Sequence, residues 1–248
     1  MNNNPDRTIG EIVTENAGSA RIFESLGIDY CCGGQRTLRD ACTRAGASLD
    51  EVLNLLAKAG HDPKTPETAS WIKAPLGTLT AHIVEKHHAF VRRETPRLES
   101  LLAKVVSKHG PAHAELGQIQ ELFSATSQEL ATHMLKEEHI LFPYIEQMEA
   151  AGGQREEFPA ACFGSVQGPI ANMIADHEDA GELLSRMRQL SGGYVAPDGA
   201  CPSYQALYRG LDDFERDLHQ HIHLENNILF PRAIELERSA SETADAAR

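Results

Sequence analysis

His133-Met-Leu-Lys-Glu137-Glu-His-Ile-Leu-Phe-Pro143 lines up without a gap against His221-Ile-His-Leu-Glu225-Asn-Asn-Ile-Leu-Phe-Pro231, and this repeat decides the fold. Each copy closes a longer three-four spacing. The first runs Leu116, Ile119, Phe123, Thr126, Leu130, His133, Glu137, Ile140, Tyr144; the second runs Leu207, Leu211, Phe214, Leu218, His221, Glu225, Ile228. Such spacing lays one stripe along an α-helix, turned toward a core. A histidine and a glutamate one turn apart therefore fall on each buried line. A further histidine precedes each copy at nearly the same distance, His88 lying 45 residues before His133 and His177 lying 44 before His221. The chain reads as two copies of a helix pair, each supplying His plus His-x-x-x-Glu.

Working outward, amphipathic segments cover roughly 75–108, 112–150, 166–191 and 203–237, with Gly110-Pro111, Gly152-Gly153 and Gly192-Gly193 at their joints. Long helices with short or moderate connections predict an all-α four-helix bundle over 74–237. Residues 1–60 predict a small helical domain. Thr8 caps Ile9–Glu15, and Ala17–Leu26 continues to Gly27. The run Cys31-Cys32-Gly33-Gly34 breaks the pattern, Thr37 starts a helix ending at Gly46, and Ser48 caps Leu49–Ala59. Residues 61–73, with Pro63 and Pro66, read as a linker, and 238–248 as a flexible tail.

Composition narrows the function. Apolar and charged fractions of 41% and 24% are ordinary for a globular chain and set aside disorder and fibres. A net charge of −13 disfavours a nucleic-acid partner, which wants a basic stripe. No run approaches the roughly 18 apolar residues of a membrane helix, and the polar start Met-Asn-Asn-Asn-Pro-Asp-Arg-Thr carries no signal peptide. Cys31, Cys32, Cys42, Cys162 and Cys201 form no disulfide framework, so a reducing cytoplasm is the expected compartment.

Carboxylates on a buried stripe need a partner, a proton or a cation. In His-x-x-x-Glu the imidazole and carboxylate share one face, and two facing helices bring both pairs together. His88 and His177 add one nitrogen each, making four imidazoles and two carboxylates: a donor set for two metal ions bridged by the glutamates. Ligands without thiolate disfavour structural zinc, and the histidines disfavour magnesium or calcium; iron or manganese suits the set, with zinc and cobalt left open by ligand type alone. His177 shares a face with Ile170, Ile174, Gly181 and Leu184. Val84, His88, Val91, Leu98, Leu102 and Val105 form one seam, whereas a seam through His87 would also bury Glu94 and Arg97. Periodicity thus favours His88 without separating it from His87, and Pro96 is an expected kink in that helix.

At these residues the bundle resembles hemerythrin-like domains, and the whole chain resembles the bacterial di-iron proteins that repair iron–sulfur clusters, the repair-of-iron-centres family. Asp29-Tyr30-Cys31-Cys32-Gly33-Gly34 is similar to that family's short N-terminal domain. The two repeat copies and Asp176-His177-Glu178-Asp179-Ala180-Gly181-Glu182 resemble its ligand-bearing helices. The resemblance implies two non-haem iron ions, oxo- or hydroxo-bridged when oxidised, held by His88, His133, Glu137, His177, His221 and Glu225. It implies repair of clusters damaged by nitric oxide or oxidative stress, with damaged iron–sulfur proteins and nitric oxide or oxygen species as partners, and a homodimer by analogy. Two features depart from the family: Asp176 stands where a glutamate is common, and the linker and the stretch Gly152–Gly168 are longer. Glu129, Asp176 and His82 are candidates for tuning the centre or lining a path to it, and the thiol pair Cys31, Cys32 for handling iron or redox equivalents. Cys42, Cys162, Cys201, His61, His109, His113, His139, His219 and His223 carry no such motif. Rival readings are a hemerythrin-type oxygen carrier or sensor, a nitric oxide reductase or ferroxidase, and a structural metal clip.

Overall fold

The computed structural model describes residues 4–58, 71–152, 158 and 163–246; most of the expected linker with His61, and Cys162, lie outside them. Among the described residues the α-helices are α1 (Ile9–Glu15), α2 (Gly18–Ser25), α3 (Leu38–Ala45), α4 (Leu49–Lys58), α5 (Leu76–His82), α6 (Ala89–His109), α7 (Glu115–Lys136), α8 (Phe142–Ala150), α9 (Gln167–Leu190), α10 (Pro202–Leu224) and α11 (Phe230–Ala246). No strand is present among them. Among the described residues three π-helical stretches join neighbours without a break: π1 (Ile83–His88) between α5 and α6, π2 (Glu137–Leu141) between α7 and α8, and π3 (Glu225–Leu229) between α10 and α11. The long segments expected from periodicity are thus α5-π1-α6, α7-π2-α8, α9 and α10-π3-α11. Each π turn inserts one residue into the helical ladder and shifts the phase of the stripe. Pro96 sits inside an uninterrupted α6, and the change of phase in that rod falls earlier, at π1.

The chain divides into two compact units, residues 81–144 with 161–221, and residues 1–80 with 145–160 and 222–248. The first is a helical bundle in which α6 and α9 each pack along α7. Its core is the expected stripe: Leu98, Leu102, Leu116, Ile119, Phe123, Ile170, Leu184, Leu207 and Phe214 are at most 1% exposed. Phe123 meets Phe214 edge-on with centroids 5.3 Å apart. Gly192 and Gly193 turn the chain after α9 with φ of 60° and 78°. Tyr194 follows in the same left-handed region, at φ 59°. The Arg188 guanidinium, 4.9 Å from its ring centroid, and burial of the ring hold it there.

The second unit opens with a capping box. Thr8 Oγ1 accepts from Glu11 N and the Glu11 carboxylate accepts from Thr8 N, both at 3.2 Å. Thr37 caps α3, which ends at Gly46 in the left-handed conformation, and Ser48 Oγ accepts from Glu51 N at 3.5 Å at the start of α4. Ile9, Val13, Phe23, Leu38, Val52 and Leu56 form the small core that these caps orient. Asn227, on π3, inserts its amide between Gly10 and Gly34, where a side chain at either position would collide with it. The amide donates to the carbonyls of Tyr30 and Cys31 at 3.2 and 3.3 Å, so the Cys-Cys-Gly-Gly loop is pinned to π3. Within the same unit Glu149 caps the first turn of α5, accepting from Leu76 N at 2.7 Å and Gly77 N at 3.0 Å. The helix α11 continues to Ala246, through most of the stretch expected to fray.

Thr8→Ala removes one half of the capping box. It is expected to lower the stability of α1 by about 1 kcal/mol, read as faster amide hydrogen exchange across Ile9–Glu15, with Thr8→Ser restoring protection.

Candidate metal centre

Imidazoles and carboxylates meet where the π turns interrupt the helices. His88 ends π1, Glu137 opens π2 and Glu225 opens π3; His133 and His221 lie one turn before the glutamates, and His177 sits mid-way along α9. All six side chains are at most 3% exposed. Their potential ligand atoms form two groups, each with its atoms within 4.8 Å of one another: His88, Glu137, His221 and Glu225 in one, His133, Glu137, His177 and Glu225 in the other. Both glutamates belong to both groups. Glu137 faces each group with a different oxygen, Oε2 3.3 Å from His88 Nε2 and Oε1 3.3 Å from His133 Nε2. The imidazoles pair through Nε2: His88 with His221 at 3.2 Å, His133 with His177 at 3.0 Å.

The opposite ring nitrogens explain why Nε2 faces inward. His88 Nδ1 lies 2.6 Å from Glu138 Oε1, which also accepts from Arg92 Nη2 at 2.6 Å. His133 Nδ1 lies 3.2 Å from Asp176 Oδ2, which also accepts from Lys136 Nζ at 2.9 Å. Burial alone would raise both carboxyls. The hydrogen bonds from His88 and Arg92 hold Glu138 below the usual carboxylate range, and those from Lys136 and His133 do the same for Asp176. A charged carboxylate at Nδ1 keeps the proton on that nitrogen and leaves the Nε2 lone pair directed at the cluster. The donor set therefore fits cations: inward lone pairs, and two carboxylates at zero exposure whose charge would be costly among apolar neighbours.

The remaining candidates take distinct places. Asp176 bonds His133 and Lys136, as above. Glu129 lines a cavity of about 400 Å³ with His133, Lys136, Asp176 and His177. His82 is half-buried, edge-on to His87 with centroids 5.7 Å apart, and burial pushes its pKa down to about 4. His87 is as deeply buried as His88, because the π turn brings consecutive residues inward. Its Nδ1 lies 3.1 Å from Asp217 Oδ1, and its ring is nearly parallel to His221, with centroids 5.8 Å apart. It belongs to neither ligand group. An unbroken α-helix with His88 on the core seam would turn His87 further from it, and π1 is not such a helix. Glu138 escaped the sequence reading; the Glu137-Glu138 doublet, matched by Glu225-Asn226 in the other copy, was its available signal.

Cys31 and Cys32 stand in a third group with Asp29. Asp29 Oδ1 accepts from the backbone of both cysteines and lies 3.2 Å from Cys31 Sγ; the two sulfurs are 3.9 Å apart. The hydrogen bond with Cys32, then burial, push the Cys31 thiol well above the usual range.

Comparison with known proteins found two matching families and a set of similar chains. The family described as the hemerythrin HHE cation binding domain matches residues 79–233, and an N-terminal domain family of undescribed function, ScdA_N, matches residues 5–60. The chain is 36% identical over 231 residues to the iron-sulfur cluster repair protein YtfE of Pectobacterium atrosepticum. It is 39% identical over 230 residues to that of Edwardsiella ictaluri, and 34% over 229 to that of Escherichia coli O81. Each match covers 92% of this chain and 97% of the relative.

Glu138→Ala and Asp176→Ala each release one imidazole from its orienting bond. Each is expected to weaken metal retention by roughly 10–100-fold, measured by competition against a chelator of known affinity, with helical content unchanged.

Proposed function

The chain belongs to the hemerythrin-domain family of iron–sulfur cluster repair proteins, and from that premise we propose that it repairs clusters damaged by nitric oxide or oxidants. The observation that carries the reading is the pair of His/Glu groups sharing Glu137 and Glu225, which suits a non-haem di-iron centre within a cation-binding family. In this reading His88, His133, His177 and His221, with the shared Glu137 and Glu225, would hold two iron ions. Ferrous ions held there would supply electrons, open coordination positions for nitric oxide or oxygen species, and iron for a depleted cluster.

The chain's own residues set how that centre works. Glu138 and Asp176 hold His88 and His133 with the proton on Nδ1, so neither imidazole drifts from the cluster when an ion leaves. Glu129, Asp176 and Lys136 line the cavity that reaches His133 and His177, a route for small ligands. The apolar core around the centre keeps bulk water from the bridging carboxylates. Cys31 and Cys32 pass iron or redox equivalents. Half-exposed Cys32 is the more accessible of the two thiols, Cys31 being buried beside it. A cytoplasmic setting and a homodimer paired through the N-terminal unit belong to the same reading.

The test is an iron–sulfur enzyme inactivated by nitric oxide and incubated with the reduced protein. Restored activity beyond that given by free ferrous iron and thiol is expected. Glu137→Ala/Glu225→Ala should restore none, and Cys31→Ser/Cys32→Ser should restore it several-fold more slowly. Equal repair by the glutamate variant, or none by the wild type, would contradict the reading.

A further inference from the structure

The two copies of the repeat are alike in their inner histidines and glutamates and unlike in what surrounds them. Counting along the copies, Glu129 corresponds to Asp217, four residues before His133 and His221. Lys136 corresponds to Leu224, and Asp176 to His87, each of the latter preceding the histidine of its earlier helix. Around His133 and His177 these positions are polar and open. Glu129 and Lys136 are exposed, Asp176 is half-buried, and all three line the 400 Å³ cavity that reaches both imidazoles. Around His88 and His221 the corresponding positions are filled. His87 is fully buried and nearly parallel to His221, its Nδ1 lies 3.1 Å from Asp217 Oδ1, and His82 packs edge-on against its ring. Leu224 is 5% exposed where Lys136 faces solvent.

We propose that the two halves of the centre are unequal, the His133–His177 half exchanging its metal through the cavity while the buried His87 ring, stacked on His221, closes the His88–His221 half and retains its ion. The inference deepens the two-ion reading above and rests on it. Release of a metal ion needs incoming ligands to replace the imidazoles one at a time, so the half that water and small chelators can enter loses its ion first. His87 and Asp217 are positioning residues in this scheme; they shield His221 rather than bind metal.

The test uses the reduced iron-loaded protein without oxygen, mixed with excess bathophenanthroline disulfonate, and follows the absorbance of the iron chelate. Two phases of equal amplitude are expected, separated at least about tenfold in rate, because the chelator reaches the packed half only when it opens locally. His87→Ala should bring the slow phase close to the fast one, whereas His87→Phe, which keeps a flat ring in the space, should leave it slow. Thr132→Phe, at an exposed position on the cavity, should slow the fast phase alone and does not depend on a core substitution being tolerated. A single phase in the wild type, or a slow phase indifferent to His87→Ala in a protein of normal helical content, would overturn the proposal. Protein that releases iron in one phase yet repairs clusters would sink this inference and spare the repair reading. Release in two phases without repair would do the opposite.

Discussion

Glu137 and Glu225 are carboxylates with no exposure to water, and the rest of the molecule is arranged around the need to keep their charge. In a helical core an isolated ionised carboxylate would take up a proton or unfold its surroundings. Here the carboxylates and the inward-facing imidazole nitrogens present electron pairs to the same space, an arrangement that calls for cations between them; Glu138 and Asp176 turn His88 and His133 inward, and each is matched by Arg92 or Lys136. Arg92 and Lys136, both exposed, carry the compensating positive charge of that outer layer to the surface. Removing any layer leaves a buried charge facing nothing, so packing and metal affinity are one problem in this bundle.

The three π turns follow from the same requirement. In an ideal α-helix residues at i and i+4 drift around the axis, and only one position per turn can face a given point. An inserted residue at π1, π2 and π3 resets the phase where ligands leave the stripe. This brings Glu137 under its histidines and buries His87 and His88 together.

Much of this was legible in the residues. The stripes through His133-Glu137 and His221-Glu225, the long segments and the caps at Thr8, Thr37 and Ser48 all depend on local spacing and hydrogen bonding, which a sequence carries directly. The π turns were not legible, because periodicity analysis assumes a constant 3.6 residues per turn, and that assumption set His87 aside. Glu138 was missed for a different reason. Its partner His88 is 50 residues away, and only the meeting of two helices reveals that the second acid of a Glu-Glu pair orients a ligand rather than facing solvent. Asn227 likewise reads as a surface amide until Gly10 and Gly34 are seen to leave room for it. The repeat keeps its inner histidines and glutamates and diverges in what surrounds them, so the common part is visible in one sequence and the divergence needs the fold.

Metal content tests the central claim most directly. Protein purified without oxygen should carry about two iron ions per chain and develop, on oxidation, the visible charge-transfer bands of a bridged diferric pair. The Glu137→Ala/Glu225→Ala protein should lose both the iron and the bands while keeping its helices. Zinc in place of iron, a single ion per chain, or an unchanged metal complement in the variant would contradict a centre built on the two shared glutamates.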